Sequence, residues 1–316
     1  MTPLDPAPVL ARLARCPRHA ATPLLRRSVG GRPLWLKDER GRMGLGSFKA
    51  LGGAYAALRI VEDKGRDVTL VTASAGNHGL SVAAGARAFG ARARVHVAAT
   101  VGEGFVARLR AEGAEVVRSG ETYEASVAAA EADAAATGAV HLPDGSWPGC
   151  TAAPRLVMEG YTVIAEELRA AFEDGDAWPD VVYLQAGVGG LAAAVAQRIR
   201  AAWTVQPRIV VVEPEAAACL RASVAAGRVV TVEGPVSGMG RLDCKVPSLL
   251  ALEILRDAAD AFAVVGEDAA RAATDLLAAE GLPTTPSGAA GVAAWARMGG
   301  DRPLAILSEG PEGAEA

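Results

Sequence analysis

Short β-branched runs alternate with alanine-rich stretches of helical spacing along most of this chain, and few folds accept that pattern. Residues 33–37, 68–73, 94–99, 114–118, 140–142, 181–185 and 208–212 read as strands, each bounded by glycine, proline or polar turns. Between them, apolar residues recur at helical spacing over 49–62, 80–89, 103–112, 121–137, 153–171 and 192–203. Successive strand–helix units stack as parallel sheets covered by helices, so the expected class is α/β, doubly wound and largely parallel. Residues 22–32 read as a loop. With 316 residues the chain is long enough for two domains, or for one large domain with an inserted lobe.

The formal net charge of -4 and the scattered Lys and Arg residues leave no basic footprint for nucleic acid, so the expected partner is a small molecule. Cys16, Cys150, Cys219 and Cys244 are far apart and form neither a C-x-x-C pair nor a dense framework, which suits reduced thiols and no metal. Residues 1–17 lack a basic start followed by an apolar core, and no apolar run reaches spanning length. The reading is of a cytoplasmic protein that meets no membrane.

Three glycine-bearing turns carry the candidate chemistry. In Gly44-Leu45-Gly46-Ser47-Phe48-Lys49, one lysine stands between a turn and a helix start, where amide donors and the positive end of the helix dipole disfavour an ammonium. A neutral amine is what a Schiff base with an aldehyde cofactor requires, and pyridoxal phosphate is the commonest such cofactor. The segment alone also fits a solvated lysine at a helix start. The loop Gly187-Val188-Gly189-Gly190-Leu191 follows a buried strand and opens a helix, which makes a ready anion site. Without a P-loop ending or G-x-G-x-x-G spacing it suits a single phosphate better than a nucleotide, and it also fits a plain packing turn. Ser74-Ala75-Gly76-Asn77-His78-Gly79 has the same position in the earlier lobe. Its amides suit a carboxylate, Asn77 suits an aromatic hydroxyl, and His78 suits capping, packing or proton transfer.

These motifs, with Ser47-Phe48-Lys49 and Val212-Glu213-Pro214, stand in the order seen in fold type II pyridoxal phosphate enzymes, the serine and threonine dehydratase group, which the chain resembles from about Pro23 to Gly310. Within that group it is most similar to the diaminopropionate ammonia-lyases, through Phe48 to Tyr55, Asp144-Gly145-Ser146-Trp147-Pro148-Gly149 and Leu242 to Ser248. The resemblance implies two tryptophan synthase beta-like domains, with 1–50 and 143–316 forming the larger, 51–142 the smaller, and the cofactor in the cleft. It implies that Lys49 carries pyridoxal 5'-phosphate, that Gly187 to Leu191 bind its phosphate, and that Asn77 faces its phenolic oxygen. Ser308 is implied at the ring nitrogen, and Ser74, Ala75, Gly76 and His78 at an amino acid substrate. A homodimer follows by analogy.

The implied reaction is removal of ammonia from a 2,3-diamino acid to give a 2-oxo acid, with Asp144 as base or as contact to the departing amine. Ala75 stands where those ammonia-lyases have an acid, which leaves one catalytic carboxylate and points to a single enantiomer, the L form. Thr285 replaces a glutamate of threonine dehydratases, Lys245 a glycine, and Cys150 an aromatic residue, so the substrate side chain stays open. The alternatives are dehydration of serine, threonine or another β-hydroxy amino acid, β-replacement, and a cofactor-binding regulatory homologue without turnover.

Overall fold

The computed structural model describes residues 2–175 and 177–311. In chain order, α1 (Ala7–Leu13) leads into the strand pair β1 (Leu24–Val29) and β2 (Arg32–Asp38), followed by a 3-10 segment, Glu39–Gly44. Then come α2 (Lys49–Lys64), β3 (Thr69–Ala73), α3 (Asn77–Phe89), β4 (Arg92–Val97), α4 (Glu103–Ala111), β5 (Glu115–Arg118), α5 (Tyr123–Thr137) and β6 (Val140–His141). The second half runs α6 (Ala152–Glu173), β7 (Val181–Gln185), α7 (Gly190–Ala202), β8 (Arg208–Pro214), α8 (Cys219–Ala226), α9 (Leu249–Ala258), β9 (Ala261–Val265), α10 (Glu267–Ala279), α11 (Pro286–Met298) and β10 (Pro303–Leu307). The chain divides into two compact units. The larger comprises the described residues of Met1–Phe48, Gly145–Gly149 and Tyr161–Ala316, and the smaller comprises Lys49–Asp144 and Cys150–Gly160.

The larger unit holds a six-stranded sheet in the order β1-β2-β10-β7-β8-β9, parallel except for β1 against β2. Every residue of β7 and β10 is buried, as expected of parallel strands covered on both faces. Trp35, Phe172, Trp178 and Trp203 form an aromatic cluster with ring centroids 5.3 to 5.5 Å apart, Trp35 stacked on Phe172 and the other pairs tilted or edge-to-face. Residues 22–32, read as a loop from sequence, contain β1. This strand lies at the sheet edge with Arg26, Arg27 and Ser28 exposed, so it has no apolar alternation to reveal it.

The smaller unit holds four parallel strands in the order β5-β4-β3-β6. Its helices α2 and α3 pack closely because they meet through small residues. A Cβ on Gly53 would stand 2.1 Å from Ser81 Oγ, and one on Gly85 would stand 2.9 Å from the Ala57 Cβ. Small side chains on both helices therefore allow this close approach. None of the described helices is long and apolar enough to cross a membrane.

Candidate active site

In the smaller unit, Lys49 is the first residue of α2, and its Nζ donates to Asp144 Oδ2 at 2.5 Å. Both side chains are about one-fifth exposed. The Lys49 carbonyl accepts a 2.6 Å hydrogen bond from Ser81 Oγ, which ties the helix start to α3. Burial pushes the Asp144 carboxyl up. The Lys49 ammonium, the neighbouring His78 and the Lys49 hydrogen bond outweigh it and hold the group well below the usual carboxylate range. The lysine expected to be a neutral amine is thus paired with a carboxylate.

The Ser74–Gly79 segment wraps the start of α3. Ser74 Oγ accepts from Gly76 N at 3.1 Å, Ala75 is exposed, and Asn77 is the first helical residue. His78 is buried, with Nε2 2.9 Å from the Leu142 carbonyl. Burial and the Lys49 charge lower its basicity, against the pull of Asp144 and of the Leu142 hydrogen bond, so the ring is neutral. Sequence reasoning singled out Lys49, Asn77 and Asp144 and passed over Ser81, whose hydroxyl bonds the Lys49 carbonyl.

In the larger unit, Ala186 to Gly189 link β7 to α7. Packing demands both loop glycines. A Cβ on Gly187 would lie 2.9 Å from Cys244 Sγ, and Gly189 has φ +100 with a Cβ position 2.9 Å from Leu220 Cδ1. Ala193 N donates to the Gly189 carbonyl, so the amides of the preceding turn have no intrahelical acceptor and are available to an anion. Ser308 follows β10 and is only 4% exposed. Next to it, the buried Glu309 accepts a short hydrogen bond from Thr285 Oγ1 and lies 3.9 Å from Arg241 Nε. Thr285 also caps α11 through Gly288 N. A carboxylate therefore reaches Thr285 from Glu309, a partnership the sequence did not signal. Arg241, Thr285, Ser287 and Glu309 line a cavity of about 320 Å³. A larger surface cavity of about 490 Å³, bordered by Gln197, Arg200 and Glu253, contains none of the expected site residues.

The chain has four lysines. Lys37 is buried and committed to Glu167 Oε2 and the Thr22 carbonyl, and Lys64 is solvated at the end of α2. Lys245 bonds Asp243 and two carbonyls. Of the four, only Lys49 opens a helix.

The family model for pyridoxal-phosphate dependent enzymes matches residues 16–309. The chain belongs to that family. Its sequence is 31% identical over 252 residues to the diaminopropionate ammonia-lyase of Escherichia coli (strain K12), covering 74% of this chain and 63% of that relative's length. A crystal structure of the Escherichia coli diaminopropionate ammonia-lyase superposes with a TM-score of 0.86 at 25% identity, covering 98% of this chain and 89% of that one. The threonine deaminase of T.th. superposes with a TM-score of 0.86 at 28% identity, covering 99% of both chains. The α/β architecture is that of the fold type II enzymes, and pyridoxal 5'-phosphate is the cofactor. Each unit holds groups that suit it: in the smaller, the amine of Lys49, and in the larger, the amides without helical acceptors after Gly189. Among the described residues no cluster of His, Cys, Asp and Glu is suited to a metal ion.

Proposed function

We propose that this chain removes the β-amino group of an L-2,3-diamino acid such as 2,3-diaminopropionate, giving a 2-oxo acid and two ammonia molecules with one water consumed. The observation that carries this reading is the Lys49–Asp144 pair, an amine and a carboxylate 2.5 Å apart at a helix start. Bound pyridoxal phosphate supplies an electron sink for the carbanion left when the α-proton departs. Lys49 would hold the cofactor through its aldehyde, and the Lys49 amine would move the substrate α-proton. Asp144 accepts hydrogen bonds from the β-ammonium and from Lys49, and so orients the leaving group. Ser74, Ala75 and Gly76, at the turn before α3, border the substrate carboxylate. Asn77 donates to the phenolic oxygen, Gly187 to Leu191 cradle the phosphate through their amides, and Ser308 donates to the ring nitrogen.

Dehydration of a β-hydroxy amino acid is the second reading. It is favoured by Ala75, which brings no carboxylate to the position before Gly76, and by the likeness to a threonine deaminase. A panel of L and D 2,3-diaminopropionate, serine, threonine and 3-hydroxyaspartate, assayed for oxo acid and ammonia, decides between the two. The diamino reading requires two ammonia per oxo acid from the L-diamino acid at the highest kcat/KM. A preference for any hydroxy amino acid assigns dehydration.

A further inference from the structure

We propose that His78 is a positioning residue that fixes the Leu142–Asp144 segment through the Leu142 carbonyl, and so holds the Asp144 carboxylate on Lys49. This rests on the reading of Lys49 and Asp144 as the working pair.

The tautomer follows from the partner. A carbonyl only accepts, so His78 Nε2, 2.9 Å from Leu142 O, carries the proton, and the neutral ring keeps its lone pair on Nδ1. That Nδ1 is buried and has no partner among the described residues. A second proton would enter a site without an acceptor. The charged and titratable groups that face the ring are Asp144 and Lys49, with His141 adjacent, and burial together with Lys49 keeps the imidazole neutral. Its one N–H is committed to the backbone, so His78 has no proton to give a substrate.

Leu142 is held from both sides. Its N–H donates to Val71 O at 2.8 Å, and its carbonyl accepts from His78. The chain leaving β6 is therefore clamped between β3 and α3 two residues before Asp144. Without the His78 donor the carbonyl is left buried and unsatisfied, and the segment shifts to solvate it. The Asp144 carboxylate moves with it.

The test compares His78→Gln, whose side-chain amide still donates to the carbonyl and cannot titrate, with His78→Ala, which cannot donate. The first measurement is the rate of Lys49 acylation by acetic anhydride in cofactor-free protein, read by peptide mass spectrometry with Lys64 as internal control. His78→Gln should match the native protein within about twofold, and His78→Ala should react about tenfold faster, the size expected for one lost hydrogen bond. The second is the pH profile of kcat in the holoenzyme. His78→Gln should keep its shape, and His78→Ala should lose about tenfold or more in kcat with little change in KM. If the alanine variant does not fold, His78→Asn, with an amide too short to reach the carbonyl, takes its place. Lys49 reactivity and kcat unchanged in the non-donating variants would overturn the proposal. So would a His78→Gln enzyme that loses the acid limb of its pH profile, because that limb would then belong to the imidazole. The acylation result stands even if no tested amino acid is turned over, which separates this proposal from the reaction assignment.

Discussion

Lys49 Nζ and Asp144 Oδ2 lie 2.5 Å apart although 95 positions separate the two residues in the chain. Lys49 begins the first helix of the smaller unit and Asp144 follows its last strand, so the parallel sheet between them brings the amine to the carboxylate. Neither group is fully buried, and solvent screening keeps the stability worth of the pair modest. Its value is chemical: it holds a proton at a defined place beside the lysine.

Asp144→Asn keeps the shape of the side chain and removes its charge. The expected result is a fall in kcat of about 10²-fold or more, the range of one acid–base or charge-stabilising group, with the cofactor absorbance band retained. Steady-state assay and spectrum on the same sample check it. Full activity would make Asp144 a turn residue only.

Ala75 is exposed and immediately precedes Gly76 at the start of α3. The native protein should act on the L enantiomer, and Ala75→Asp should add measurable turnover of D-2,3-diaminopropionate. Chiral substrate assays read this directly. Comparable turnover of both enantiomers by the native protein would refute the one-carboxylate reading.

Ser308 offers a neutral hydroxyl, which stabilises a ring nitrogen without a proton. In Ser308→Asp a carboxylate favours the protonated ring and strengthens the electron sink, so the absorbance spectrum should shift and side reactions should rise relative to elimination. An unchanged spectrum and product ratio would remove Ser308 from the cofactor.

Much of this architecture is legible in sequence where apolar periodicity is strong. The runs at 181–185 and 208–212 are buried strands, and the glycine turns before α3 and α7 stand where strand gives way to helix. β1 was hidden because an edge strand with Arg26 and Arg27 in water needs no apolar pattern. Lys49 was legible as a residue type at a helix start, whereas its pairing with Asp144 was not, since proximity across 95 positions is a property of the folded sheet. The Thr285–Glu309 contact was hidden for the same reason: a threonine at a helix start is explained by capping alone.

Glu213 at the end of β8 accepts from Leu220 N and Arg221 N and so caps α8. Burial pushes its carboxyl up to about 7 despite those two amides. The folded state then binds more protons than the unfolded chain between the ordinary carboxylate range and about pH 7. Stability from this group is full at low pH and is lost as pH rises through that window, by roughly 3 kcal/mol at most. Urea unfolding from pH 4.5 to 8 should show this decline in the native protein, and Glu213→Gln should lack it. An equal decline in both proteins would place the titration elsewhere.

The central claim is that Lys49 bears the cofactor, and borohydride reduction of the holoenzyme followed by peptide mass mapping tests it most directly. The four lysines fall in separate stretches of sequence, so each outcome is distinct. The account predicts a single pyridoxyl group on the peptide containing Lys49, absent after Lys49→Ala. Label on Lys37, Lys64 or Lys245, or a Lys49→Ala protein that still releases oxo acid at the native rate, would contradict it.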